Sequence, residues 1–229
     1  IARALSGAGC AVLLAARRRP ELEALADELR GRGGRAIVEP GDVRDPGHAE
    51  RLVERALAGL GRLDGVVLNA GVAAFGPAEH EDLEVFSEVL AVNVAAQMAL
   101  ASAAARTMIA AGSGGWMIAM SSIYGIRAGT GGPIAAYASS KDGVEQLVRE
   151  LARQWAPHGI RVNALAPGQF PSDLNRPSPE RLAQIEQRTP LGRVGEEADL
   201  AGPAVFLASP AARFVTGHSL LVDGGWTVW

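Results

Sequence analysis

The sequence predicts an α/β fold: a single doubly wound parallel sheet with helices on both faces. Three observations carry this. Short apolar runs alternate with amphipathic helical stretches along the whole chain, with no repeats or low-complexity linkers between them. The runs are apolar throughout rather than at every second residue, the mark of strands buried on both faces, which parallel sheets with helical crossovers provide. At 229 residues, 48% hydrophobic and 21% charged, the chain suits one such domain, taken as residues 1–229.

Taken in order, residues 1–8 read as the tail of a helix closed by Gly9, and 10–16 as a continuous apolar strand. Residues 21–30 form a helix with Leu22, Leu25 and Leu29 on one face. A short strand at 35–39, a helix at 46–60 and a buried strand at 63–68 follow. One long helix is expected over 82–111, then a strand at 116–120. A helix over 134–156 stops before Pro157 and Gly159, and 160–164 returns as a strand. After an irregular stretch, 179–187 and 196–207 read as helices and 219–222 as a last short strand.

Composition narrows the function. Net charge is −3 and the basic residues are scattered, so no nucleic-acid surface is expected. Unbroken apolar runs such as 10–16 fall far short of the ~20 residues that cross a bilayer, and no membrane partner is expected. The single cysteine, Cys10, forms no internal disulfide and fits a reducing, cytoplasmic compartment. His48, His80, His158 and His218 never fall at metal-ligand spacing, so no metal site is expected and all four read as surface residues.

The sharpest chemical signal is Tyr137-Ala138-Ser139-Ser140-Lys141, near the start of the 134–156 helix. Residues four apart share a helix face, so a phenol and an ammonium can enter one site. A free phenol titrates near about 10, and a neighbouring ammonium favours the phenolate and lowers that value toward the working range of an acid–base catalyst. The alternative is a chance surface pair. Against it, Lys141 is the only lysine in the chain. A sequence so biased toward arginine keeps a lysine where a compact ammonium is required.

Around this pair the sequence resembles the short-chain dehydrogenase/reductase family along almost its whole length. The resemblance implies a Rossmann-like enzyme that moves hydride between a nicotinamide dinucleotide and a carbonyl or secondary alcohol. In Ser121-Ser122-Ile123-Tyr124-Gly125 the family's Ser-x-x-Gly picks out Ser122 as the group that polarises the carbonyl, with Ser121 as the fallback. The Gly-rich loop at 129–133 absorbs a Ser122-to-Tyr137 spacing slightly longer than the family's. Tyr137 is then the acid/base, and Lys141 tunes it and binds the nicotinamide ribose. Asn93, in Ala91-Val92-Asn93-Val94, matches the catalytic asparagine that kinks the long helix and holds a proton-relay water for Lys141. The alternative for Asn93 is a satisfied core amide.

The same resemblance places the cofactor. Asn69, Ala70 and Gly71 follow a buried strand and let the backbone approach the adenosine side. Asp42, with Val43, stands beside the adenine amino group, unless it is an ordinary turn residue of Gly-Asp-Val-Arg-Asp. Pro167-Gly168 matches the loop that turns toward the nicotinamide, and Ser172 replaces the family's usual threonine against the carboxamide. The 10–16 strand ends at Ala16, where an enzyme for NAD carries Asp or Glu, and Arg17 follows, able to grip a 2′-phosphate. NADP(H) is therefore expected over NAD, the alternative being that arginines 17–19 merely solvate a loop.

Substrate identity is less sharply written. The pocket is expected to draw on Phe75, Ile123, Tyr124, Gln169, Phe170 and the segment 171–189. Arg176, Arg181 and Arg188 leave open an acidic substrate such as a sugar acid or a carrier-bound oxoacyl group, or are plain helix-surface residues. The C-terminal Val215-Thr216-Gly217-His218 and Val222-Asp223-Gly224-Gly225 resemble oxoacyl-carrier-protein reductases and gluconate dehydrogenases. A rival from another class is a non-catalytic family member kept as a binding or scaffold subunit.

The family pairs subunits through its two long helices. A homotetramer is expected, with Val144, Leu147, Val148, Leu151 and Trp155 offering an apolar surface. The family also opens with a strand and a Thr-Gly-x-x-x-Gly-x-Gly turn that cradles pyrophosphate. Residues 1–229 contain neither. That strand lies mid-sheet in the family, between 10–16 and 63–68, so these neighbours are expected to stand unbonded. A preceding segment of roughly 15–25 residues is expected in the natural protein.

Overall fold

The computed structural model describes residues 1–128, 132–171 and 177–228. Helix α1 (Ala2–Gly7) leads into strand β1 (Val12–Ala16), then α2 (Arg19–Gly31) and β2 (Ala36–Pro40). β1 and β2 pair in parallel, Val12 opposite Ala36 and Ala16 opposite Pro40. Pro20 sits in the first turn of α2, where its missing N–H has no partner to lose. Leu22, Ala26 and Leu29 of that helix close over Leu14 and Ala36 as a small core of their own. Helix α3 (His48–Leu60) starts two residues later than the sequence predicts, because Gly47 adopts the left-handed conformation (φ 71°) and lies outside it.

Strand β3 (Gly65–Leu68) opens a second sheet. The run Leu83–Ala111 follows as α4 (Leu83–Leu90), a π-helical turn (Ala91–Ala95) and α5 (Ala96–Ala111). Then come β4 (Gly115–Met120), α6 (Ala135–Trp155), β5 (Ile160–Pro167), α7 (Pro179–Arg188), α8 (Glu197–Ala208) and β6 (Ser219–Val222). The second sheet has the order β3-β4-β5-β6, all parallel. Among the described residues no ladder joins β1 to β3, the break expected from the sequence.

β4 shows why its sequence is apolar without alternation. Met117 and Ala119 face one layer, packed with Met108 of α5 and Val144, Val148 and Leu151 of α6. Ile118 and Met120 face the other, packed with Ala204 and Leu207 of α8. Both faces are dry, so both sets of side chains are apolar. β5 reaches three residues beyond its predicted end because Leu165, Ala166 and Pro167 ladder with β6.

Two expectations are corrected here. His48 is no surface residue: it is buried, and both ring nitrogens lack a hydrogen-bond partner among the described residues. Gly41 leaves it room, since a Cβ there would lie 2.3 Å from the ring. His80, His158 and His218 are exposed. Nor does α6 offer a free apolar surface, because Val144, Val148 and Leu151 are buried and Leu147 and Trp155 pack partly against the same core. The exposed apolar side chains are on the other long helix: Leu83, Val85, Met98 and Ile109. By length and composition Leu83–Ala111 could cross a membrane, beyond the strand-length runs noted above. Its apolar character is accounted for on one face by the core, where Ala101, Ala104, Ala105 and Met108 are buried.

Candidate active site

The chain leaves β4 at Met120, crosses the carboxyl edge of the sheet through Ser121 and Ser122, and enters a 3-10 turn, Ile123–Gly125. Ser122 is extended and caps that turn, its Oγ accepting from Tyr124 N at 3.2 Å. Gly125 lies against the start of α6, where a Cβ would come within 2.7 Å of the Lys141 carbonyl carbon and oxygen. Only glycine lets this turn close on the helix, which is the physical content of Ser-x-x-Gly. The closure brings Ser122 to Tyr137, and their hydroxyls share a hydrogen bond. Ser121, the fallback assignment, turns its hydroxyl to the Lys141 carbonyl at 3.5 Å.

Burial raises the Tyr137 phenol above its ordinary value; the Ser122 hydrogen bond lowers it and the nearby Tyr124 raises it. This runs opposite to the expectation that Lys141 depresses it. The reason is geometric. Lys141 Nζ donates to the Met120 carbonyl at 2.6 Å and stands 5.5 Å from the centre of the Tyr137 ring. Burial pulls Lys141 itself down from 10.5 to about 8, against the buried Glu145, which raises it.

Asn93 sits in the π-helical turn, so the predicted kink is a widened turn that sets this residue inward. Its Oδ1 accepts from Val72 N (2.8 Å), and its Nδ2 donates to Val72 O (2.9 Å) and Ser140 Oγ (2.9 Å). Both amide hydrogens are used. The side chain straps the segment after Gly71 to α6, and the relay role does not follow from its contacts. Sequence reasoning missed Gln97, one turn on, buried with Nε2 toward Ala70 O at 3.4 Å and Oε1 without a partner among the described residues. Its signal was the same as for Asn93: a lone amide in an alanine-rich helix.

The other predicted residues lie at the same edge. Arg17 and Arg18 follow β1, and both are exposed. Asp42 and Val43 follow β2, Asn69, Ala70 and Gly71 follow β3, and Pro167-Gly168 ends β5. Asp42 is less free than expected. Arg44 clamps it through N (2.9 Å), Nε (3.0 Å) and Nη2 (2.8 Å), which with the more distant charge of Arg17 holds the carboxyl far below its usual range. A Cβ on Gly71 would stand 3.5 Å from Asn93 Oδ1 and 3.7 Å from Lys141 Nζ, filling the space beside the ammonium. Ser172 and Arg176 lie outside the described residues. A cavity of about 160 Å³ lies beside Gly168, lined by Gln169, Phe170, Thr189, Val194 and Asp223. A smaller recess joins Ile123 and Tyr124 to Arg127, Arg188 and Trp226, with Arg188 lying 5.2 Å over the Trp226 ring. Phe75 lines neither and is largely exposed.

These residues fit a nicotinamide dinucleotide laid along the edge. Gly71 leaves room beside Lys141, and no carboxylate stands at Ala16. The profile of a family described as enoyl-(acyl carrier protein) reductase matches residues 1–227. A short-chain type dehydrogenase/reductase from Mycobacterium marinum superposes with a TM-score of 0.95 at 35% identity, over 99% of this chain and 89% of that one. The chain belongs to the short-chain dehydrogenase/reductase family. Within it, an L-rhamnose 1-dehydrogenase (NAD(P)(+)) of Azotobacter vinelandii is 40% identical over 88% of this chain and 79% of its own length. A gluconate 5-dehydrogenase of Burkholderia cenocepacia, solved with NADP and tartrate, has a TM-score of 0.93 at 34% identity, covering 100% of this short-chain dehydrogenase/reductase and 89% of its own chain.

Proposed function

We propose that the protein is an NADP(H)-preferring dehydrogenase or reductase of polyhydroxylated compounds, of the sugar or sugar-acid type, with Tyr137 as its acid/base. Family membership makes it an NAD(P)-dependent oxidoreductase acting on an alcohol or carbonyl. The observation that carries the rest is the hydrogen-bonded hydroxyl pair of Ser122 and Tyr137 beside the Lys141 ammonium. The relatives named above act on a sugar and on gluconate, which supports the substrate class. They are named dehydrogenases, and nothing favours a non-catalytic scaffold.

A nicotinamide dinucleotide, when bound, supplies or accepts the hydride. In reduction, the Ser122 and Tyr137 hydroxyls hold the carbonyl oxygen, where negative charge develops. The raised phenol of Tyr137 is protonated at neutral pH, so it has a proton to give to that oxygen. The phenolate left behind is favoured by its hydrogen bond with the Ser122 hydroxyl, the contact that lowers this phenol. In oxidation the same phenolate takes the proton from the alcohol. Lys141 would also meet the nicotinamide ribose, Asn69, Ala70, Gly71, Asp42 and Val43 the adenosine side, and Pro167 and Gly168 the nicotinamide. Arg17 would meet the 2′-phosphate.

Tyr137→Phe tests the reading. Turnover should fall by about 10²–10⁴-fold, while NADPH binding, read by fluorescence, persists. Retention of more than about a tenth of the activity defeats the assignment. The exposed apolar residues of α4 and α5 support assembly into a homotetramer; light scattering that gives a monomer at micromolar concentration refutes it.

A further inference from the structure

We propose that Tyr124 and Gln169 form a hydroxyl-reading pair that selects substrates carrying a hydroxyl on the carbon next to the reacting one. The inference rests on the dehydrogenase reading above and adds the part of the substrate that this chain inspects.

The 3-10 turn after Ser122 sends Ile123 into the core, 1% exposed, and leaves Tyr124 half-buried at the site. Gln169 is buried where the chain leaves the Pro167-Gly168 turn. Its backbone is held on both sides, Gly168 N donating to Val222 O at 2.9 Å and Gly195 N to Gln169 O at 2.9 Å. From this fixed base Gln169 Nε2 donates to Tyr124 Oη at 2.8 Å. A phenolic oxygen that accepts from an amide keeps its own hydrogen to give. Gln169 therefore fixes Tyr124 as a donor.

That donor stands two residues past Ser122, on the turn that Ser122 caps. Tyr124 acts on the Tyr137 phenol across the site, and its backbone N–H is bonded to Ser122 Oγ at 3.2 Å. The turn that Ser122 caps thus carries a second phenol close enough to act on that of Tyr137. Ser122 and Tyr137 are occupied by the reacting oxygen, which leaves Tyr124 for an oxygen on the neighbouring carbon. Beyond it lies a small recess lined by Arg127, Arg188 and Trp226, polar enough to meet one further substrate oxygen. A site built to hydrogen-bond a substrate hydroxyl rejects the analogue that lacks it, because its own polar groups are then left unpaired. The alternative role is a brace between two loops, with no effect on selectivity.

A matched pair of alcohols separates the two. With NADP⁺ and the whole protein, kcat/KM is measured for trans-1,2-cyclohexanediol and for cyclohexanol, which differ by one adjacent hydroxyl. The unmutated protein should prefer the diol. Tyr124→Phe should cut the diol-to-cyclohexanol ratio by about tenfold, the worth of one hydrogen bond, mostly through KM for the diol. Gln169→Leu should move the ratio the same way, and the double variant no further than Tyr124→Phe alone. If Tyr124→Phe does not fold, Gln169→Leu decides. A ratio unchanged in the folded variants overturns the proposal. A protein that oxidises cyclohexanol but does not prefer the diol overturns it too, leaving the dehydrogenase reading intact; oxidation of neither probe by a protein that oxidises gluconate or L-rhamnose overturns the proposal alone, and oxidation of none of the four overturns both.

Discussion

Replacing Asn93 by leucine keeps nearly the same volume but removes three hydrogen bonds of 2.8–2.9 Å, to Val72 N, Val72 O and Ser140 Oγ. Ser140 Oγ retains a bond of 2.7 Å to Tyr137 O, so it stays satisfied. The two backbone groups of Val72 do not, and each unmet group costs about 1–3 kcal/mol when buried. Val72 is half-buried, so the lower half of that range applies and the expected loss is about 2–4 kcal/mol. Against a total of ~5–15 kcal/mol this is large. Urea denaturation should show it as a lower midpoint with an unchanged slope. The same variant should weaken NADPH binding, because the strapped segment follows Asn69, Ala70 and Gly71 directly. A loss below about 1 kcal/mol for Asn93→Leu would refute the strap, since that is the worth of a single ordinary hydrogen bond.

Two further outcomes follow from charge. Lys141 titrates at about 8 in the fold against 10.5 when solvated. A depressed folded value means that the unfolded chain binds more protons between those limits, so this group's contribution to stability rises with pH through that window and is unfavourable below it. Lys141→Met should therefore abolish turnover yet raise Tm at pH 7, with the gain shrinking toward pH 10.5; a Tm lowered at pH 7 contradicts this. Arg17→Ala should weaken NADPH by about tenfold and leave NADH nearly unchanged, as a charge-assisted hydrogen bond at an exposed site implies; equal losses in fluorescence titrations of both would show that Arg17 does not read the 2′-phosphate.

The strands and their parallel arrangement were legible because burial on both faces leaves a direct mark, as in 115–120 with its two dry layers. Tyr137, Lys141, Ser122 and Gly125 were legible because a helix-spaced phenol and amine and a serine-led turn are local patterns. What escaped depended on partners distant in sequence. Nothing in residue 48 alone says that a histidine is buried, and the lone-amide signal of Gln97 does not say that its Oε1 lacks a partner among the described residues. The direction of the Tyr137 shift depended on how deeply the ring is buried and on Lys141 reaching for Met120 O instead. The apolar residues of α6 read as a surface because periodicity shows a face without showing what covers it. Asp42 was half legible: its clamp, Arg44, is two residues away, but the bidentate geometry is a property of the folded turn.

The sole lysine of the chain is 4% exposed. Every other surface cation is a guanidinium, inert toward the reagents that acylate amines. Within residues 1–229, amine-selective labelling of the folded chain should therefore spare every side chain. Denaturation releases one amine, and it belongs to the proposed catalytic apparatus. A mass increment of one label per molecule then counts opened active sites directly, with no substrate in hand. Within residues 1–229, lysyl endopeptidase offers the same readout as a single cut after residue 141, made only in chains that have come open.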